Sequence, residues 1–213
     1  MSGGRPIGRR LTVAVAGVAM ALGPIACSAD QSPAPPAPAP TSSSEAPDAV
    51  ELSGHGTLAA PGQRSNALTY KPDLAPVGAE VTVTLTSTDG ATTAKFAASG
   101  LLPDRGYAVH LHNKACGPTG DAAGPHFQHD VDPAATPDQP STDPRYANPR
   151  NEIWLDVRTD ATGAGTSTTE VPFVFTDRMP ASVVVHEAMT TGTEPGKAGK
   201  AGDRVACFTL PKK

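Results

Sequence analysis

Six histidines, three cysteines and an arginine near the C-terminus are the residues of this chain best equipped for chemistry. The histidines are His55, His110, His112, His126, His129 and His186. His110-Leu111-His112 lies in a run that reads as a β-strand. Residues i and i+2 of a strand share a face at a spacing of about 6.6 Å, so two imidazoles can converge on one metal ion. His126 stands in Gly-Pro-His-Phe, early in a long loop-like stretch. His186 ends Val183-Val184-Val185, where three β-branched residues would hold an imidazole rigidly at a strand end. Taken singly, each of these is ordinarily a satisfied or surface histidine. What gives them weight is their order along the chain and the cysteines between them.

The elements that must position these residues read as β throughout. Val81, Val83 and Leu85 alternate with Thr82, Thr84 and Thr86, the period-2 pattern of a half-buried strand. Asp89-Gly90 follows as a turn, and 92–98 reads as the returning strand. Further short runs, Val- and Thr-rich or alternating, lie at 107–112, 152–158, 166–175, 182–187 and 204–210. No stretch of about ten residues carries a helical period. The expectation is an all-β fold, a Greek-key antiparallel sandwich or barrel of about seven or eight strands. Residues 113–150 are rich in Pro, Asp and Asn without strand pattern, and a loop that long in a compact domain is usually functional.

The nine aromatic residues run from Tyr70 to Phe208, so a core must be built from the later part of the chain, as one domain at about 50–213. Residues 1–29 read instead as an export signal, with Arg5, Arg9 and Arg10 before the apolar run Leu11–Leu22. That run is shorter than the roughly 20 residues a spanning helix needs. It ends at Ala26-Cys27, which resembles the cleavage and acylation site of bacterial lipoproteins, with Pro24 where that pattern prefers Leu. Cys27 is therefore the expected lipidation site, and the only membrane contact expected is an N-terminal lipid anchor. The protein would face the outside of the cell membrane, or be secreted if cleavage discards Cys27. Residues 30–49 are Pro-, Ala- and Ser-rich without a large apolar side chain until Val50, the composition of a disordered tether.

Either fate of Cys27 leaves Cys116 and Cys207, an even pair most simply joined as a disulfide in an oxidising compartment. Closing a loop of about 90 residues would constrain the unfolded chain by roughly 4–5 kcal/mol, less any native strain. The formal charge is −4, and removal of the three N-terminal arginines leaves 14 basic against 21 acidic residues. That balance argues against a nucleic-acid partner, which needs clustered basic surface. No residue pattern specifies an oligomeric state.

The order His110-x-His112, Cys116, His126, His186, Arg204, Cys207 resembles copper/zinc superoxide dismutase in its exported bacterial branch, over about residues 50–213. Gly106–His112 is similar to the segment with the family's first two copper ligands, Gly124–Phe127 to that of its metal-bridging histidine, and Val183–Glu187 to that of its fourth copper ligand. Ala201–Cys207 is similar to the segment with the active-site arginine and the second disulfide cysteine. The resemblance implies copper held by His110, His112, His126 and His186, a Cys116–Cys207 disulfide, and Arg204 as the cation that attracts superoxide. An N-rich donor set also suits copper in both oxidation states. Lys197 and Lys200 are candidates to extend the basic approach.

The zinc half of the pattern is largely missing. After His126 the loop offers only His129, the candidate zinc ligand, with Asp130, Asp132, Asp138 and Asp143. No Asp stands between His186 and Asp203, where the family places a carboxylate linking its two metals. Copper alone is thus the expected cofactor, with zinc doubtful. The resemblance implies an envelope superoxide dismutase; the rival is a copper-binding lipoprotein on the same fold without efficient turnover.

Overall fold

The computed structural model describes residues 50–212, and the signal segment with Cys27 and the 30–49 tether lie outside the described residues. Ten strands follow in chain order: β1 (Val50–Thr57), β2 (Ala67–Thr69), β3 (Glu80–Thr88), β4 (Ala91–Ser99), β5 (Gly106–Tyr107), β6 (Val109–His112), β7 (Val157–Arg158), β8 (Gly165–Val171), β9 (Ser182–His186) and β10 (Arg204–Thr209). Among the described residues the one helical element is a 3₁₀ turn, Gly120–Ala123. One antiparallel sheet runs β1-β3-β4-β8 and a second β2-β10-β9-β6, with a small β5-β7 pair beside them. β6, β9 and β10 are neighbours although some seventy residues separate β6 from β9, as in a Greek-key sandwich.

The threonine-alternating run forms β3 as the pattern dictates. Val81, Val83 and Leu85 are buried between the sheets, while β4 returns through the Asp89-Gly90 turn and buries Ala94, Phe96 and Ala98. Three elements depart from the sequence reading. The 107–112 run is two strands, because Ala108 leaves the ladder to hydrogen-bond with Ala188. The 152–158 run is a strand only at Val157–Arg158; its earlier part is an extended strap beside β6, touching it at the Trp154–His110 bridge.

β1 was not legible as a strand, since two of its inward positions are Gly54 and Gly56. The ring of Phe208, reaching across from β10, explains them. A Cβ at Gly54 would lie 2.7 Å from Phe208 Cζ, and one at Gly56 would lie 2.8 Å from Cδ2 of the same ring.

The core fills the space between the sheets, with Val109 and Leu111 of β6 and Val183 and Val185 of β9 pointing into it. By strand alternation, His110 and His112 of β6 and Val184 and His186 of β9 face the opposite, outer side of the second sheet. There Val184 packs with Ala123 and Cys207 under the loop that Cys116 anchors.

Candidate metal centre

His110, His112, His126 and His186 come together on that outer face, with one ring nitrogen from each lying within 4.8 Å of the other three. β6 supplies two rings through its period of two and β9 supplies the third at its end. The loop segment around Phe127, whose N–H bonds to the Leu111 carbonyl, lays the fourth against the edge of β6. His110 and His112 are fully buried, and His126 is the most exposed of the four, with 17% of its side chain accessible.

Each ring has one nitrogen turned outward to an acceptor. His112 Nδ1 faces the Gly124 carbonyl at 2.9 Å and His186 Nδ1 faces the Gly202 carbonyl at 3.4 Å. His126 Nδ1 faces the buried Glu152 carboxylate at 2.8 Å, and His110 Nε2 faces the Thr191 hydroxyl at 2.6 Å. Carbonyl and carboxylate oxygens only accept, so the outward nitrogens of His112, His126 and His186 carry protons; the Thr191 hydroxyl donates to Asp156 at 2.7 Å, so the outward nitrogen of His110 carries one too. Four lone pairs therefore point at one another. His112 Nε2 and His186 Nε2 approach to 3.2 Å with no proton to share, and His110 Nδ1 is buried without any hydrogen-bond partner. A cation between these nitrogens resolves all of these contacts. An all-imidazole set of this kind fits copper or another imidazole-preferring transition ion.

Burial holds three of the rings neutral. It pushes His110 and His112 well below the usual histidine range, with the neighbouring rings adding to it. His186 is pushed down to about 3, first by burial and then by His126.

Arg204 lies beside this cluster because the β9–β10 register pairs it with His186, just before a bulge in β10. Its Nη1 donates to the Gly120 carbonyl at 2.8 Å, and Gly120 belongs to the loop that Cys116 anchors to Cys207. The disulfide closes with its Cα atoms 5.7 Å apart and so ties β10 to the loop that orients the guanidinium. Lys71 bridges Glu187 and Asp203 at 2.6 and 2.5 Å, offsetting part of the charge of the two carboxylates that adjoin His186 and Arg204 in sequence. A cavity of about 480 Å³ opens onto the site, with His126 and His186 at its wall and Arg204 and Lys200 beside them. Lys197 instead lies 3.8 Å from Glu194, exposed and away from the cavity.

His129 does not join the cluster. Its exposed ring stacks on Phe173 at 4.5 Å, its N–H bonds to the Asn151 carbonyl, and its own carbonyl receives Arg178. These contacts hold its ring apart from the four-histidine set. Of the loop aspartates, Asp132 is bonded to Ser141 and Asp143 to Arg145. Among the described residues only the four-histidine group collects three or more ligating side chains.

The sequence reading missed the strap Glu152-Ile153-Trp154-Leu155-Asp156. Ile153 and Leu155 face the core, whereas Glu152, Trp154 and Asp156 turn to the histidines. Glu152 Oε2 accepts from both His126 Nδ1 and Trp154 Nε1, and its Oε1 accepts from Gln128. The signal was present as a period of two, but it was used only to propose a strand.

A model of the copper/zinc superoxide dismutase family matches residues 77–209, well over half of the chain and every residue of the cluster. Among solved structures, a double mutant of a SOD-like protein from Bacillus subtilis is similar at 16% identity, over 74% of this chain and 97% of that one, with a TM-score of 0.48. A single mutant of a SOD-like protein from Bacillus subtilis matches at 16% identity over 62% and 90%, with a TM-score of 0.44. None of the curated proteins matches. With the family model covering three strands of each sheet and the whole histidine cluster, the chain belongs to the copper/zinc superoxide dismutase family.

Proposed function

We propose that this protein is a copper-dependent superoxide dismutase of the cell envelope, with His110, His112, His126 and His186 as its copper ligands. The observation that carries the reading is the convergence of four imidazole lone pairs, with Nε2 of His112 and of His186 3.2 Å apart. Copper bound there would supply the redox chemistry, taking an electron from one superoxide and returning it to a second, so that dioxygen and hydrogen peroxide leave. The protein's own part is capture and proton handling. Arg204 gives a permanent cation at the cavity wall where an anion must arrive. His126 is the ligand nearest solvent, so its Nε2 is where a proton can be held for the departing peroxide.

Glu152 supports a site with copper alone. Its carboxylate holds His126 Nδ1, the nitrogen that a bridging imidazolate would offer to zinc. The Cys116–Cys207 disulfide supports an oxidising compartment, and with it export and an anchor at Cys27.

The test is metal content and superoxide consumption by the purified protein. About one copper per chain and a rate far above that of aqueous copper are expected, and His112→Ala or His186→Ala should abolish stoichiometric copper. Full copper in either variant would remove the ligand assignment. Stoichiometric copper with a rate no better than aqueous copper would make the protein a copper-binding protein on this fold.

A further inference from the structure

His110 differs from the other three rings: it turns Nδ1 inward and Nε2 outward. The cause lies outside the ligand set. His110 Nε2 is 2.6 Å from Thr191 Oγ1, which is 2.7 Å from Asp156 Oδ1. A carboxylate only accepts, so the Thr191 O–H donates to Asp156 and the hydroxyl oxygen accepts from His110 Nε2–H. Asp156 is itself fixed, with Oδ2 accepting from the Thr191 N–H at 2.7 Å and Oδ1 from the Val109 N–H at 3.3 Å. The chain runs from a fully buried ring, through a hydroxyl that is almost fully buried, to a carboxylate 30% exposed at the surface.

We propose that Thr191 and Asp156 act as a positioning relay that locks His110 in its Nε2–H tautomer, leaving Nδ1 as the metal ligand and passing carboxylate charge to it. The inference rests on the metal-site reading above. It accounts for the missing aspartate between His186 and Asp203: the carboxylate comes from the strap, and the loop contributes only a hydroxyl. A metal-bound imidazole whose other nitrogen bonds to a carboxylate is a stronger donor, and removing such a partner typically costs about 10–100-fold in metal affinity.

The deciding variant is Thr191→Val, which keeps the side-chain shape and deletes the hydroxyl. Nitrogen NMR of the metal-free protein should show His110 as the Nε2–H tautomer in the wild type, and as a mixture or the reverse in Thr191→Val. Copper(II) affinity, measured by chelator competition, should fall about 10–100-fold in Thr191→Val and recover in Thr191→Ser. Asp156→Asn should keep the tautomer while weakening copper(II) more than copper(I). Each tenfold difference raises the reduction potential by about 59 mV.

A wild-type tautomer and affinity in Thr191→Val, or an unchanged potential in Asp156→Asn, overturns the relay. Failure of the wild type to bind copper overturns the metal-site reading instead, so the two failures are distinguishable.

Discussion

In the proposed dismutase, Arg204 is the residue that separates catalysis from metal binding. It ligates nothing, sits opposite His186 across the ladder, and reaches the cavity wall with one nitrogen committed to Gly120. Superoxide is an anion, and the protein without its three N-terminal arginines is acidic. Rapid capture therefore needs positive potential focused locally, and superoxide capture is itself the standard example of such steering, which changes on-rates by roughly 10–10³. Arg204→Glu should lower the superoxide rate constant about 10-fold or more while leaving copper affinity nearly unchanged. The wild-type rate should fall as salt rises toward about 0.15 M, where screening acts beyond roughly 8 Å. Stopped-flow superoxide decay across a salt series measures both; an unchanged rate and salt slope in the variant would remove Arg204 from the mechanism. The roles suggested for His110, His112, His126, His186 and Arg204 came from motif order, and the structure brings these five residues to one place. Glu152, Thr191 and Asp156 were not legible, because nothing in a linear sequence shows which acid will reach which ring from a distant segment.

The elements explain both what the pattern revealed and what it hid. β3 and β4 were legible because Val, Leu and Phe fill their inward positions. β1 was hidden because the partner of its inward face is one large ring, that of Phe208, and the matching positions must be nearly empty. Gly56→Val would drive a branched side chain into Phe208 and the Ala67 Cβ, which stands 2.7 Å from a Cβ at that position. Overpacking of this kind costs typically about 1–3 kcal/mol. The urea midpoint of Gly56→Val should therefore fall clearly, and Gly56→Val with Phe208→Leu should recover part of the loss. An unaltered midpoint in the single variant would mean that the sheets separate easily there. The strap was misread for the complementary reason: alternation of Ile153 and Leu155 with Glu152, Trp154 and Asp156 is a strand pattern. Its polar edge is spent on histidines, and only its last residues join a ladder.

For the molecule as a whole, the metal site governs how stability depends on pH. Three rings of the cluster are buried as neutral imidazoles: His186 pushed down to about 3, His110 and His112 well below the usual range, all chiefly by burial. In the unfolded chain each titrates near 6.5. Above about pH 6.5 both states are neutral at these groups and nothing is lost. As pH falls from there toward about 3, the unfolded chain takes up protons that the folded chain refuses, so the folded state loses stability. The loss approaches about 1.4 kcal/mol per pH unit for each such histidine. The metal-free protein should thus show a denaturation midpoint that is flat above neutrality and falls steeply between pH 6 and 4, a window set by the roughly 6.5 of the unfolded rings. Copper at the proposed site would add stability by binding the folded state alone, and since the folded rings take up no proton until near pH 3, its increment should persist across the window in which the metal-free midpoint falls. Urea unfolding of the metal-free and copper-loaded protein at a series of pH values reads both effects. A metal-free midpoint that stays flat down to pH 4 would mean that the rings are not held neutral in the fold. A copper increment that collapses between pH 6 and 4 would mean that the folded rings take up protons in that range.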